Sequence, residues 1–152
     1  MKKFLISLVA LSAMISPAVA KVPPVITQVQ KEFNHKIKYV ADPVGQDIWT
    51  VATTQGDCED IALAKRQALI DSGWSKDDLQ ILILMRQDAH IGPHQWEGHV
   101  VLYVPSQKII LDQQFENYVT DYNVYMTTYN WKVICVATNL TEGSIPTLKR
   151  CQ

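Results

Sequence analysis

The sequence predicts an α+β fold, with N-terminal helices packed on an antiparallel sheet. Helical periodicity is confined to residues 25–35 and 58–72. Strand-type runs follow at 79–85, 99–104, 108–112 and 131–137, joined by hairpin-like connections. Helices segregated ahead of hairpin-linked strands point to an antiparallel sheet with the helices on it. At 152 residues and 47% hydrophobic content, the chain has the length and apolar content for one domain with a core.

The first twenty residues stand apart from that domain. Lys2 and Lys3 precede an apolar run, Phe4 to Ile15, and Ala18-Val19-Ala20 closes it as a small-x-small cleavage site. The run is short for a bilayer span, so it reads as a signal peptide cleaved after Ala20. Residues 21–152 then form a single domain in the periplasm or outside the cell. No later stretch approaches transmembrane length, so the mature chain is expected not to span a membrane. Fourteen basic against fifteen acidic residues, with no long run of one sign, leave nothing to grip nucleic acid.

The elements follow in order. Val25, Ile26, Val29 and Phe33 form one helical face, Ile37 to Val40 is extended, and Asp42-Pro43-Val44-Gly45 is a turn. Asp47 to Gln55 is a loop or partial helix carrying Trp49. Asp57 is placed to cap a helix that opens with Cys58, Glu59 and Asp60, runs through Ile61, Ala64, Ala68 and Leu69, and stops at Gly73. Leu79 to Met85 is a buried strand, and Arg86 to Gly98 a loop containing Gly92-Pro93. His99 to Val104 is a strand with His99, Val101 and Tyr103 on one face and Val100, Leu102 and Val104 on the other. A tight turn at Pro105-Ser106 or Ser106-Gln107 returns the chain as Lys108 to Asp112. Tyr118 to Tyr129 is polar-aromatic without a clear period, and Trp131 to Ala137 is a further strand.

The hairpin carries a chemical consequence. A two-residue turn at Pro105-Ser106 sets His99 opposite Asp112, and one at Ser106-Gln107 makes them diagonal neighbours. Either register puts both side chains on one face, whereas a three-residue loop would separate them. A carboxylate beside an imidazole fixes its tautomer and stabilises its cation, as a catalytic histidine requires. Cys58 at a helix N-terminus is the matching nucleophile, because the helix end and an imidazolium both favour thiolate. Acids at 57, 59 and 60 oppose this, so the thiol needs His99 close or a cation near those acids. Taken singly, a helix-start cysteine is more often a small buried residue, and a strand-end aspartate often begins a turn. Their order, cysteine, histidine, aspartate, is the informative feature. Among three cysteines in an exported chain, the simplest assignment is a Cys135–Cys151 disulfide with Cys58 free. Cys151, near the chain end, could instead stay unpaired or pair between chains.

Gly56-Asp57-Cys58-Glu59-Asp60-Ile61-Ala62-Leu63-Ala64-Lys65, then Gly73-Trp74, Gly98-His99-Val100-Val101-Leu102 and Ile110-Leu111-Asp112, resemble the bacterial transglutaminase-like cysteine proteinases. Trp49 ahead of the cysteine motif fits as well. The resemblance implies a papain-like, transglutaminase-like core and a Cys-His-Asp triad: Cys58 as nucleophile, His99 as general base and acid, Asp112 as orienting carboxylate. It also implies calcium held by Asp57 and Glu59; the sequence does not identify the remaining oxygen ligands, for which backbone carbonyls and the Gln46-Asp47 loop are candidate sources. The best-known member is a periplasmic protease that clips surface adhesins under a membrane-bound regulator. The partners implied here are therefore a protein substrate, an adhesin among the candidates, and such a regulator. The family commonly has Leu-Asp-Asn where this chain has Leu111-Asp112-Gln113.

The expected function is an exported cysteine peptidase acting through an acyl-enzyme. Acyl transfer to an amine by the same triad, and a non-enzymatic exported binding protein, are the alternatives. His90 and His94 with Asp88 and Glu97 suggest a transition-metal site, but Gly92-Pro93 argues against one helix presenting both, and a polar loop at the site rim is the preferred reading. Gln55 and Trp49 are candidate oxyanion donors, Trp96 a cleft or packing residue, and Tyr129 and Trp131 core residues.

Overall fold

The structure is a computed structural model and describes residues 21–43, 48–87 and 96–137. The expected signal peptide, residues 1–20, and Cys151 lie outside the described residues, as do Asp88, His90, His94 and the Gln46-Asp47 pair.

Helix α1, Pro24–Lys36, opens on a proline whose fixed φ suits the first helical turn. It buries Ile26, Val29 and Gln30. Strand β1, Lys38–Tyr39, pairs in parallel with β2, Gln55–Gly56. The second of these was not legible in the expected loop. Helix α2, Cys58–Asp71, ends where Gly73 takes a φ of 92° and the Trp74 N–H reaches back to the Leu69 carbonyl at 2.9 Å. That 6→1 bond is the glycine stop the sequence predicts.

Five antiparallel strands follow in the order β6-β5-β4-β3-β7. They are β3, Gln80–Gln87; β4, Trp96–Val104; β5, Ile109–Leu111; β6, Thr120–Asp121; and β7, Lys132–Ala137. Helix α3, Tyr122–Thr128, sits between the last two, capped by the Asp121 carboxylate. The β3–β4 ladder is longer than expected. Arg86 and Gln87 pair with Glu97 and Trp96, and an Arg86–Glu97 ion pair of 2.7 Å ties the strand ends that the sequence reading had placed in a loop.

The sheet is covered on both faces. Ile81, Val100, Leu102 and Val104 pack with Ile26, Val29 and Leu69 from the two long helices. On the other face Leu82, Leu84, Val101 and Ile110 pack with Tyr125 and Trp131. Burial of each such aliphatic side chain is worth about 1.5–3 kcal/mol. Two-sided burial explains why residues 79–85 read as a continuous apolar run rather than an alternating one.

The β4–β5 connection corrects the expected turn. It has four residues, not two: Pro105–Gln107 form a 3-10 turn and Lys108 adopts a left-handed conformation, φ 54° and ψ 42°. Leu102 pairs with Leu111 and Tyr103 with Ile110. This is the register of the Ser106-Gln107 alternative, so parity survives and His99 and Asp112 remain diagonal neighbours on one face.

Candidate active site

Cys58, His99 and Asp112 arrive from three places: the first turn of α2, the body of β4 and the residue after β5. His99 Nε2 lies 2.8 Å from Asp112 Oδ1, with both side chains buried. That contact assigns Nε2 to the carboxylate and leaves Nδ1 as the ring's other proton-transfer atom. Asp112 also accepts from the Tyr125 hydroxyl at 2.7 Å and the Gln114 N–H at 3.0 Å. Burial raises the Asp112 carboxyl, but the bond and charge of His99 and these two donors outweigh it and hold the group below its usual 3.8. An ionised, threefold-held carboxylate is a fixed partner for an imidazole.

Cys58 and His99 line one cleft of about 390 Å³, together with Trp49, Met85, Gly98 and Ile134. Ile134 reaches it through a bulge, where the β3–β7 register shifts between Ile83 and Leu84. Trp131 stacks on the His99 ring at 5.7 Å, and the Arg86 guanidinium lies over Trp131 at 4.4 Å. Trp131 is therefore a core residue that also packs against the imidazole. Of the oxyanion candidates, Trp49 is in the cleft; Gln55 lines a neighbouring hollow with Gly56 and Asp60. Trp96 is exposed and Glu97 is engaged by Arg86.

The helix start departs from the expected cap. Asp57 occupies the N-cap position, but its side chain makes no capping bond. One oxygen accepts from the Asp42 N–H at 3.4 Å, and the other is buried without a partner. Asp60 is spoken for, since its Oδ1 accepts from the Thr50 N–H and hydroxyl at 2.6 and 3.2 Å. Glu59 and Asp60 are buried rather than solvated. Asp42, Asp57 and Glu59 bring ligand atoms within 4.8 Å of one another. Three hard oxygen donors with one carboxylate oxygen orphaned fit a divalent cation such as calcium. Asp42 is a ligand candidate the sequence reading missed; its place beside Pro43 marked a turn and nothing more.

Without an ion these acids work against the thiol. Burial pushes the Cys58 thiol far up, and the charge and hydrogen bond of Glu59, then the charge of Asp57, push the same way; a backbone bond from Val100 opposes them. The thiol donates to Glu59 Oε2 at 3.2 Å. Glu59 itself is pushed up to about 8, by burial and then by the adjacent Asp57 carboxylate.

A helix-borne thiol and a strand-borne imidazole share one cleft of an α+β core, the equipment of thiol-based acyl chemistry. The sequence model for bacterial transglutaminase-like cysteine proteinases matches residues 14–139, and the chain belongs to that family. A search of curated protein sequences finds no match. Among solved structures, Legionella pneumophila LapG is similar at 23% identity and a TM-score of 0.58, over 79% of this chain and 68% of that one. Its calcium-bound form is similar at 22% and 0.57, over 85% and 76%, and its EGTA-treated form at 23% and 0.58, over 79% and 66%. At these identities the likeness carries the fold.

Proposed function

We propose that this cysteine peptidase is exported and works through a Cys58–His99–Asp112 triad and an acyl-enzyme. The observation that carries the reading is the 2.8 Å His99–Asp112 bond in the cleft that also holds Cys58. His99 Nδ1 takes the thiol proton as Cys58 Sγ bonds to the peptide carbonyl carbon. The tetrahedral oxyanion collapses, the C–N bond breaks, and the imidazolium gives its proton to the leaving amine. Water then attacks the thioester, returning its proton through His99 and restoring the thiol. Asp112 holds the tautomer throughout.

Asp42, Asp57 and Glu59 are the residues that would hold calcium. The ion supplies positive charge that offsets the acids beside Cys58. The calcium-bound and EGTA-treated LapG structures support this choice of metal. The leader at residues 1–20 supports a periplasmic or secreted site of action. Among the described residues no helix is long and apolar enough to cross a membrane. The substrate is a protein. A surface adhesin, and control by a membrane-bound regulator, follow from the family resemblance.

Iodoacetamide labelling tests the nucleophile. With calcium at neutral pH, Cys58 should alkylate much faster than a free cysteine model, and Cys58→Ala should abolish the fast reaction. A rate equal to that of the model thiol would sink the reading.

A further inference from the structure

Lys65 lies on α2 two turns beyond Cys58, and its side chain is fully buried. No ion pair engages it among the described residues. Its ammonium donates to Gln30 Oε1 at 2.9 Å. The Gln30 amide nitrogen then donates to the carbonyl oxygens of Asp112 and Phe115, at 2.6 and 2.5 Å. Asn34 Nδ2 donates to the same two carbonyls, each at 3.0 Å.

In its ammonium form Lys65 has donors only, which turns the Gln30 amide oxygen toward it and leaves the amide nitrogen for the two carbonyls. We propose that Lys65 is a positioning residue of the active site, which through Gln30 fixes the turn after β5 and so aims the Asp112 carboxylate at His99. A buried lysine is costly, and an uncharged side chain of equal length would clamp α1 to α2 at less cost. The placement is intelligible if the amide orientation and a cation near Asp112 are what the residue supplies. Burial lowers Lys65 to about 7, and the Asp112 charge opposes that shift.

The inference rests on the triad reading, and the test separates the two. The full chain with calcium is compared as wild type, Lys65→Met, Gln30→Glu and His99→Ala. Three quantities are read: Cys58 alkylation by iodoacetamide, the downfield proton resonance of the His99 Nε2–H, and cooperative melting. Lys65→Met keeps an unbranched side chain, one atom shorter, and removes the donor. Gln30→Glu keeps a partner for Lys65 but removes the Gln30 N–H donors to the two carbonyls, leaving those of Asn34, so a simple helix clamp would survive it. Both variants should melt cooperatively, alkylate about tenfold more slowly or worse, and show the His99 resonance displaced or lost. If Lys65→Met does not fold, Gln30→Glu decides by the same readings. A folded variant with wild-type rate and resonance overturns the proposal. So does a slowed rate with the resonance unmoved, or loss of cooperative melting in both variants. A wild-type rate in His99→Ala would instead sink the triad, whereas a slow His99→Ala beside a normal Lys65→Met sinks only the positioning role.

Discussion

At the scale of single residues, the pairing of His99 with Asp112 was legible because strand parity leaves only two faces. The partners that hold the pair were not. Tyr125 lies in a segment with no clear period, and nothing in Trp131 marks it as the ring against His99. Gln30 and Lys65 did leave a signal, each being a polar residue at a core position of its helix, flanked by Ile26 and Val29 and by Ile61 and Leu69. For a substrate protein, we expect His99→Ala to lower turnover by at least about a thousandfold and Asp112→Asn by less, with the fold retained in both. Near-normal turnover in folded His99→Ala protein would end the triad account. Gly56 has a different constraint. A Cβ there would sit 2.6 Å from the Asp60 Cβ and 2.7 Å from its Oδ2, and Asp60 anchors the Thr50 loop. Gly56→Ala should cost about 1–3 kcal/mol in urea unfolding, and an unchanged midpoint would show that the loop gives way freely.

At the scale of elements, the bounds of α2 were readable because its apolar stripe and Gly73 agree, whereas the roles of its N-terminal acids were not: Asp57 makes no capping bond and Glu59 and Asp60 are buried. Residues 118–129 were not, because a two-residue strand running into a seven-residue helix shows neither period. The β4–β5 turn was read with the right parity and the wrong length: Lys108 in a left-handed conformation carries no composition signal of the kind glycine gives. The first turn of α2 makes a pH prediction. In chelated protein Glu59 is pushed up to about 8 from its usual 4.5, so the folded state keeps a proton that the unfolded chain has released. Between those pH values the folded state binds more protons, and stability therefore falls as pH rises from about 4.5 to about 8. A cation on the carboxylate removes the penalty. Melting temperatures in EGTA should fall across that window, and calcium or Glu59→Gln should flatten the trend. Parallel profiles with and without calcium would contradict the metal site.

At the scale of the whole molecule, the α+β architecture followed from composition and order, because a chain with early helices and hairpin-linked strands has few ways to bury both. How its end is secured is a separate question. Cys58 is a free thiol and Cys135 is buried in β7, and pairing of Cys135 with Cys151 would staple the C-terminal segment to the sheet. Non-reducing peptide mapping of periplasmically expressed protein should find the two joined, and free thiols at both positions would refute it. The account as a whole requires an exported protease whose chemistry runs through one sulfur. Its most direct test is the mapping of new N-termini on surface proteins of cells producing either the wild-type chain or Cys58→Ala at equal levels. The account predicts a defined set of new termini that appears with the wild type and vanishes with Cys58→Ala; the same termini in both strains would contradict it.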